Sequence, residues 1–242
     1  MKKAFLHLSL VSLLLTFLPV VNASNSVSRK EFVREVPAEK ETSVEFASNL
    51  LYDSLKLNRI GLSRQAMLYA YKGYQQLVKK GLINKGAVLS VCDFSQPSQK
   101  KRLYVIDIKS FKVLMNTYVA HGKRSGLHYA SKFSNRTESH QSSLGFYITK
   151  GTYFGKHGLS LRLTGVDKGY NHNAEKRAIV VHGARYIGES RSDAAYMGRS
   201  FGCPAVPQAQ ASKVINMIKD GTCLFIYHPS KSYLHGSSIL NG

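Results

Sequence analysis

The chain has 242 residues, 43% of them hydrophobic, with 34 Lys and Arg against 14 Asp and Glu for a formal net charge of +20. That length supports one substantial domain plus an accessory segment, and so basic a surface implies polyanionic surroundings. The basic residues are dispersed and carry no zinc-finger or RNP signature, so nucleic acid is not the expected partner.

The N-terminus, MKKAFLHLSLVSLLLTFLPVVNAS, has the pattern of a secretory signal peptide over residues 1–23. Lys2 and Lys3 form a basic start, and Ala4 to Leu18 is apolar but short for a membrane span. Pro19 interrupts it, and Val21 and Ala23 fit the cleavage pattern. The expected product begins at Ser24, exported to the periplasm or cell wall. No cysteine follows the cleavage point, and no other segment is apolar enough to span a bilayer, so no stable membrane anchor is expected. In that compartment the available anions are cell-wall polymers and acidic lipid. A plain basic protein with no anionic partner is the alternative.

Residues 24–41 are polar and charged and are expected to form a flexible lead-in. A helical pair is predicted over 42–84. Thr42 and Glu45 have capping-box spacing, followed by Phe46, Leu50, Leu51 and Leu55 as the apolar stripe. Asn58 and Gly61 stop that helix. Ser63 caps a second one with Met67, Tyr71, Tyr74 and Val78 on one face, ending at Lys79, Lys80 and Gly81. The tyrosines are read as packing residues.

From residue 85 to 235 the pattern is that of strands. AVLSVCDF, RLYVIDIK, KVLMNTYVAHG, SLGFYITK, LSLRLTG, AIVVHG and TCLFIYHP are rich in β-branched and aromatic residues. The second and third should pair as a hairpin. One late helix is predicted, with Pro207 in its first turn, then Ala209, Val214, Ile215 and Ile218, and Gly221 closing it. The class is mainly β, a sandwich or barrel-like sheet. Residues 122–142 form a long polar loop, of a length that is often functional.

There are three cysteines, Cys92, Cys203 and Cys223. Cys92 and Cys223 lie in strand-like segments and are either bridged or two buried thiols. Cys203 is the odd one, in GRSFGCPAV. A cysteine nucleophile needs a base, a group that orients the base, and donors for the oxyanion. His182 ends the apolar run AIVV and supplies a base, with a nearby backbone carbonyl to hold its tautomer. Gly202 permits close backbone approach, so the amides of Gly202 and Cys203 are candidate oxyanion donors, with the Ser200 hydroxyl beside them. A helix starting near Pro207 would lower the thiol pKa if its positive end faced Cys203. On spacing alone, a buried structural Cys203 explains that residue equally well, and a lone His182 is more often a satisfied core histidine.

The motifs resemble the L,D-transpeptidase (YkuD-type) family. The carriers are HG after a strand, a spacer, and S-x-G-C, together with SSLGFYI, GKHGLSLRLTG and CDFSQPSQKKRLYVID. The resemblance extends over residues 44–235 and is nearest to the murein L,D-transpeptidase catalytic-domain subgroup. It implies a YkuD-like β-sandwich with Cys203 as the acylated nucleophile and His182 as its base. Gly183, Ser200 and Gly202 match the surrounding motif positions. It implies attack on the carbonyl of the third residue of a peptidoglycan stem tetrapeptide, loss of D-Ala, and transfer to an amine, giving 3→3 crosslinks. It also implies no metal and no organic cofactor. Phe201 stands where the family usually has histidine, and Pro204-Ala205-Val206 replaces the usual hydrophobic and polar residues after the cysteine. Those departures bear on the acceptor.

Tyr147, His157 and Arg162 are candidate substrate-binding residues, the last two for stem carboxylates. No H-x-H or H-E-x-x-H pattern points to a zinc hydrolase. Two alternatives keep the same surroundings: a hydrolase with the same Cys and His, trimming D-Ala or releasing a wall-linked protein, and a wall-binding module without turnover. Papain-type and NlpC/P60-type peptidases place Cys before His, the reverse of the order here.

Overall fold

The computed structural model describes residues 42–83 and 86–242. The expected signal peptide, the expected lead-in and the last residue of the expected helical pair lie outside the described residues. Among the described residues the helices and the sheet share one core, with Leu51, Met67, Leu77, Val91 and Phe146 buried in a single cluster.

The capping box forms as expected. The Thr42 hydroxyl accepts the Glu45 N–H at 3.2 Å, and the Glu45 carboxylate accepts the Thr42 N–H at 2.9 Å. Helix α1 (Ser43–Ser54) buries Ser48, Leu51 and Tyr52, whereas Phe46 and Leu50 face solvent. The expected stripe was rotated by one position. Helix α2 (Arg64–Lys79) buries Ala66, Met67, Ala70, Gly73, Tyr74 and Leu77, and leaves Val78 exposed. A methyl group on Gly73 would meet the Phe146 ring at 1.9 Å. This close approach seats α2 directly on the sheet.

The strands are β1 (Val88–Asp93), β2 (Leu103–Asp107), β3 (Lys112–Thr117), β4 (Gly145–Gly155), β5 (Gly158–Gly165), β6 (Val180–Ala184), β7 (Ala205–Pro207) and β8 (Cys223–Tyr227). They form one sheet in the order β3-β2-β1-β8-β4-β5-β6-β7. β2 and β3 make the predicted antiparallel hairpin, and β1/β8 and β6/β7 are the parallel pairs. Past β3, Ala120 bridges Ala205 of β7 and Gly122 bridges Ser200. These contacts join the two edges, so the sheet nearly closes on itself. The mainly-β expectation holds, in its barrel-like form.

Several elements differ from expectation. β7 was not predicted, being short and lying between Pro204 and Pro207. The late helix, α3 (Ala211–Ile218), starts after a 3₁₀ turn at Gln208–Gln210, and Pro207 ends a strand instead. Two further short helices, α4 (Lys231–Gly236) and α5 (Ser238–Asn241), close the chain. Buried Asp167 ties them to β4, accepting the Phe146 N–H at 2.8 Å, the Tyr233 hydroxyl at 3.0 Å and the Ser237 hydroxyl at 2.5 Å.

The register decides between a bridge and two thiols for Cys92 and Cys223. Cys92 lies opposite Ile226, and Cys223 opposite Leu89. The two are offset by three positions along the strands, about 10 Å by strand rise, and their side chains point to opposite faces. That separation forbids a disulfide, and both are buried free thiols.

Candidate active site

The turn carrying Cys203 is built by one serine. The Ser200 hydroxyl donates to the Cys203 carbonyl at 2.6 Å and accepts the Gly202 N–H at 3.0 Å. Gly202 has φ +126°, and a Cβ there would lie 2.7 Å from the Gln141 carbonyl oxygen. Only glycine fits this backbone and this space. The loop 122–142 folds onto the turn, with the Ser142 hydroxyl donating to the Gly202 carbonyl at 3.3 Å and the Lys123 N–H donating to the Ser200 carbonyl at 2.7 Å. The expected oxyanion donors are therefore corrected. The Gly202 N–H is already taken by Ser200, and the Ser200 hydroxyl by the turn itself.

Cys203 is partly buried. Its Sγ accepts the Val180 N–H at 3.5 Å and donates to the Ala178 carbonyl at 3.6 Å. Ala178 itself has φ +51°, an uncommon backbone for a residue with a side chain. Burial pushes the Cys203 thiol pKa up, while the Val180 N–H, the Arg177 charge and its own N–H pull the other way. Burial dominates, so the resting group is a thiol and needs a base. The predicted helix assistance is absent: β7 carries the chain from the turn to the start of α3, beside Gly183.

His182 sits on β6 opposite Ala205 of β7, both buried. The Val180 N–H contact with Sγ sets Cys203 beside β6, two residues before His182 on that strand. His182 Nδ1 lies 2.9 Å from the Gly183 carbonyl oxygen. A carbonyl only accepts, so Nδ1 carries the proton and Nε2 is left as the acceptor. Burial lowers the His182 pKa, the Gly183 carbonyl raises it in part, and His157 lowers it further. Gly183 also has a packing role, because a Cβ there would meet Gln208 Oε1 at 2.8 Å and Ala211 Cβ at 2.9 Å.

The three expected substrate contacts divide. His157, at the tip of the β4–β5 hairpin, stacks on the His182 ring with centroids 4.2 Å apart and planes 20° from parallel. It meets the base and not a free carboxylate position. Tyr147 is fully buried and donates to the Ser143 carbonyl at 3.0 Å, so it belongs to the core and does not line a cleft. Arg162 is exposed on β5, opposite Val180, with its guanidinium 4.4 Å from the Tyr153 ring centroid. Phe201 is 65% exposed, between the Lys123 ammonium at 4.3 Å and the His140 ring at 4.7 Å.

Two residues were missed from the sequence. Arg177 donates to the carbonyls of Ser134 (2.7 Å) and Gln141 (2.6 Å) and to the hydroxyls of Ser139 (3.1 Å) and Ser143. One guanidinium thus pins the polar loop while its charge acts on Cys203. Tyr186 is raised in pKa mainly by burial, lies within electrostatic reach of Cys203, and packs against Gly198. Neither residue lies in a recognisable motif, and long-range packing alone brings them here. His121 is structural: it is buried, and its Nδ1 accepts from Arg102 at 2.7 Å. A cavity of about 740 Å³, bordered by Arg59, Lys100 and Tyr118, shares no residue with the surroundings of Cys203.

A family profile described as the L,D-transpeptidase catalytic domain matches residues 58–227, most of the chain. Similar solved structures include an L,D-transpeptidase from Mycobacterium smegmatis, at 15% identity over 59% of each chain with a TM-score of 0.38. L,D-transpeptidase 1 of Mycobacterium tuberculosis is 12% identical over 59% of this chain and 62% of that one, with a TM-score of 0.32. An L,D-transpeptidase from Stackebrandtia nassauensis is 14% identical over 77% of this chain and 93% of its own, with a TM-score of 0.34. The match thus spans about three-fifths of the two mycobacterial chains. A search of curated proteins finds no match. On the profile match, the chain belongs to the L,D-transpeptidase catalytic-domain family.

Proposed function

We propose that this protein is a peptidoglycan L,D-transpeptidase that works through a thioester on Cys203. The observation that carries the reading is the His182 Nδ1 contact with the Gly183 carbonyl at 2.9 Å. It leaves a neutral Nε2 acceptor two residues along β6 from Val180, whose N–H meets Sγ, with burial holding the imidazole below its ordinary pKa.

The reaction runs in two halves. The Cys203 thiol turns from the Ala178 carbonyl and gives its proton to His182 Nε2. The thiolate attacks the carbonyl carbon of the third stem residue, and a C–S bond forms. The Cys203 N–H is the candidate donor to the oxyanion, since the Gly202 N–H is occupied. The C–N bond to D-Ala breaks, and the imidazolium returns the proton to the leaving amine. An acceptor amine from a second stem then attacks the thioester. His182 takes the amine proton, the C–S bond breaks, and the thiolate recovers it, leaving a 3→3 crosslink. Water in place of the amine would complete an L,D-carboxypeptidase cycle.

The +20 charge supports a polyanionic wall as the setting. The leader pattern of residues 1–23 supports export to the periplasm or wall, which N-terminal sequencing of the processed protein checks. The function itself is tested with disaccharide-tetrapeptide, followed by mass spectrometry. Crosslinked dimers with loss of D-Ala are expected. Tripeptide without dimers would assign hydrolysis, and unchanged tetrapeptide would favour a binding module.

A further inference from the structure

We propose that the cavity between residues 131–135 and the start of α4 binds a neutral N-acetylated sugar ring, so that the protein holds the glycan strand of the wall at a site apart from Cys203. That the ring belongs to the wall rests on the acyl-transfer reading above; the sugar site itself does not.

The cavity is about 390 Å³, within the range of about 300–1,000 Å³ typical of small-ligand sites. Three separate stretches enclose it: the polar loop, Gly169 with Tyr170, and Ser230 to Tyr233. Although the chain carries a net charge of +20, none of the described residues that border this cavity is charged. An anion would find no cation there. An apolar ligand would strand the hydroxyls of Ser131, Ser134, Ser230 and Ser232. Each of these groups both donates and accepts, as a sugar hydroxyl does. A peptide backbone divides the two functions between N–H and C=O and matches such a lining less well.

The bonds within the wall leave specific atoms to meet a ligand. The Ser134 hydroxyl accepts the Arg136 N–H at 3.1 Å and keeps its own hydrogen to donate. The Tyr170 hydroxyl donates to the Ser232 carbonyl at 2.6 Å and keeps its lone pairs to accept. The Ser230 and Ser232 hydroxyls lie 3.0 Å apart, and that bond uses one of their two hydrogens. Asn135 is oriented by the Asn173 N–H at 3.0 Å and by His172 Nδ1 at 2.8 Å, which takes one hydrogen of its amide nitrogen. The other hydrogen suits an acetamido carbonyl, and Phe133 and Leu144 offer apolar surface for the acetamido methyl. Tyr170 is braced edge-on by Tyr233, with ring centroids 5.0 Å apart and planes at 87°. Gly236 makes room for it, since a Cβ there would lie 2.0 Å from the Tyr170 hydroxyl oxygen. A ring held this way offers a fixed surface to the C–H face of a pyranose. Arg177 ties the cavity wall to the nucleophile's turn, donating to the Ser134 carbonyl and to the Gln141 carbonyl that packs on Gly202.

The test is calorimetric titration of Cys203→Ala with an N-acetylglucosamine tetramer, which separates binding from turnover. Saturable binding is expected, and a glucose tetramer, which lacks the acetamido groups, should bind about tenfold more weakly. Tyr170→Ala should weaken the N-acetylglucosamine tetramer about tenfold, with Tyr170→Phe between it and the unmodified ring. Ser230→Ala combined with Ser232→Ala should also weaken it, and tests the same wall if Tyr170→Ala does not fold. With Cys203 intact, Tyr170→Ala should leave acylation by a sugar-free tetrapeptide unchanged. No binding of the N-acetylglucosamine tetramer, equal binding of the glucose tetramer, or binding indifferent to these substitutions would overturn the site. So would loss of tetrapeptide binding in Tyr170→Ala, which would assign the cavity to peptide. Sugar binding without acylation by any donor would overturn the acyl-transfer reading and leave the sugar site standing.

Discussion

His182 and Cys203 sit on neighbouring segments but are held by different means. His182 rides on a strand whose backbone pairs on both sides, with β5 and β7, so its position is set by the sheet. Cys203 rides on a turn whose shape depends on side chains: the Ser200 hydroxyl, the Ser142 hydroxyl and the Arg177 brace on the loop behind it. The base should therefore tolerate changes around it that the nucleophile does not. A regular ladder distributes its cost over many bonds, whereas a turn held by a few groups fails when one is lost.

Substitutions can break or sharpen this contrast. The largest effect expected is for His182→Ala, with acylation slowed about 10²–10⁴-fold while the fold persists; burst kinetics with disaccharide-tetrapeptide measures it. Gly202→Ala comes next. It forces a side chain into φ +126° and onto the Gln141 carbonyl, so a destabilisation of about 1–3 kcal/mol is expected together with loss of turnover. Chemical denaturation beside the activity assay separates the two. Ser200→Ala removes both bonds that shape the turn and should cost about 1–3 kcal/mol with a reduced rate. If the rate is unchanged, the turn does not depend on its serine.

The smallest effect concerns pH. His182 must be neutral to accept the thiol proton, so activity should fall as pH drops through its folded pKa, which lies below the ordinary value. The same depression means that the stability contributed by neutral His182 is present above the unfolded pKa of about 6.5 and is lost as pH falls below it. His157 lowers the His182 pKa by its charge and covers the ring. Removing it relieves both, so His157→Ala should move the acid limb of kcat/KM to higher pH. A limb that stays in place, or moves down, would remove His157 from the base's environment.

What was legible in the sequence was local. The caps of α1 and α2, the β2–β3 hairpin, and the placing of His182 on a strand and Cys203 in a glycine turn follow from neighbouring residues, although β6 runs two residues past His182 to Ala184. The misread positions depend on what packs against them. Strand alternation would leave Tyr147 free to bind substrate, but the first half of β4 is buried on both faces, with α2 over Phe146 on one side. Phe46 and Leu50 are apolar at helical spacing, yet α1 turns Ser48, Leu51 and Tyr52 inward. β7 is too short, and too rich in flanking proline, to show a period. The His157 stack depends on hairpin register, and the Arg177 brace on the path of a distant loop. Neither leaves a trace in a linear motif.

The central claim is that Cys203 becomes acylated. The direct measurement is intact-protein mass spectrometry after brief mixing with disaccharide-tetrapeptide, with the adduct mapped by digestion. The expected increment equals the donor minus D-Ala, carried on Cys203 and absent in Cys203→Ala. An adduct that persists in Cys203→Ala, or crosslinked product formed at the full rate by that variant, would contradict it.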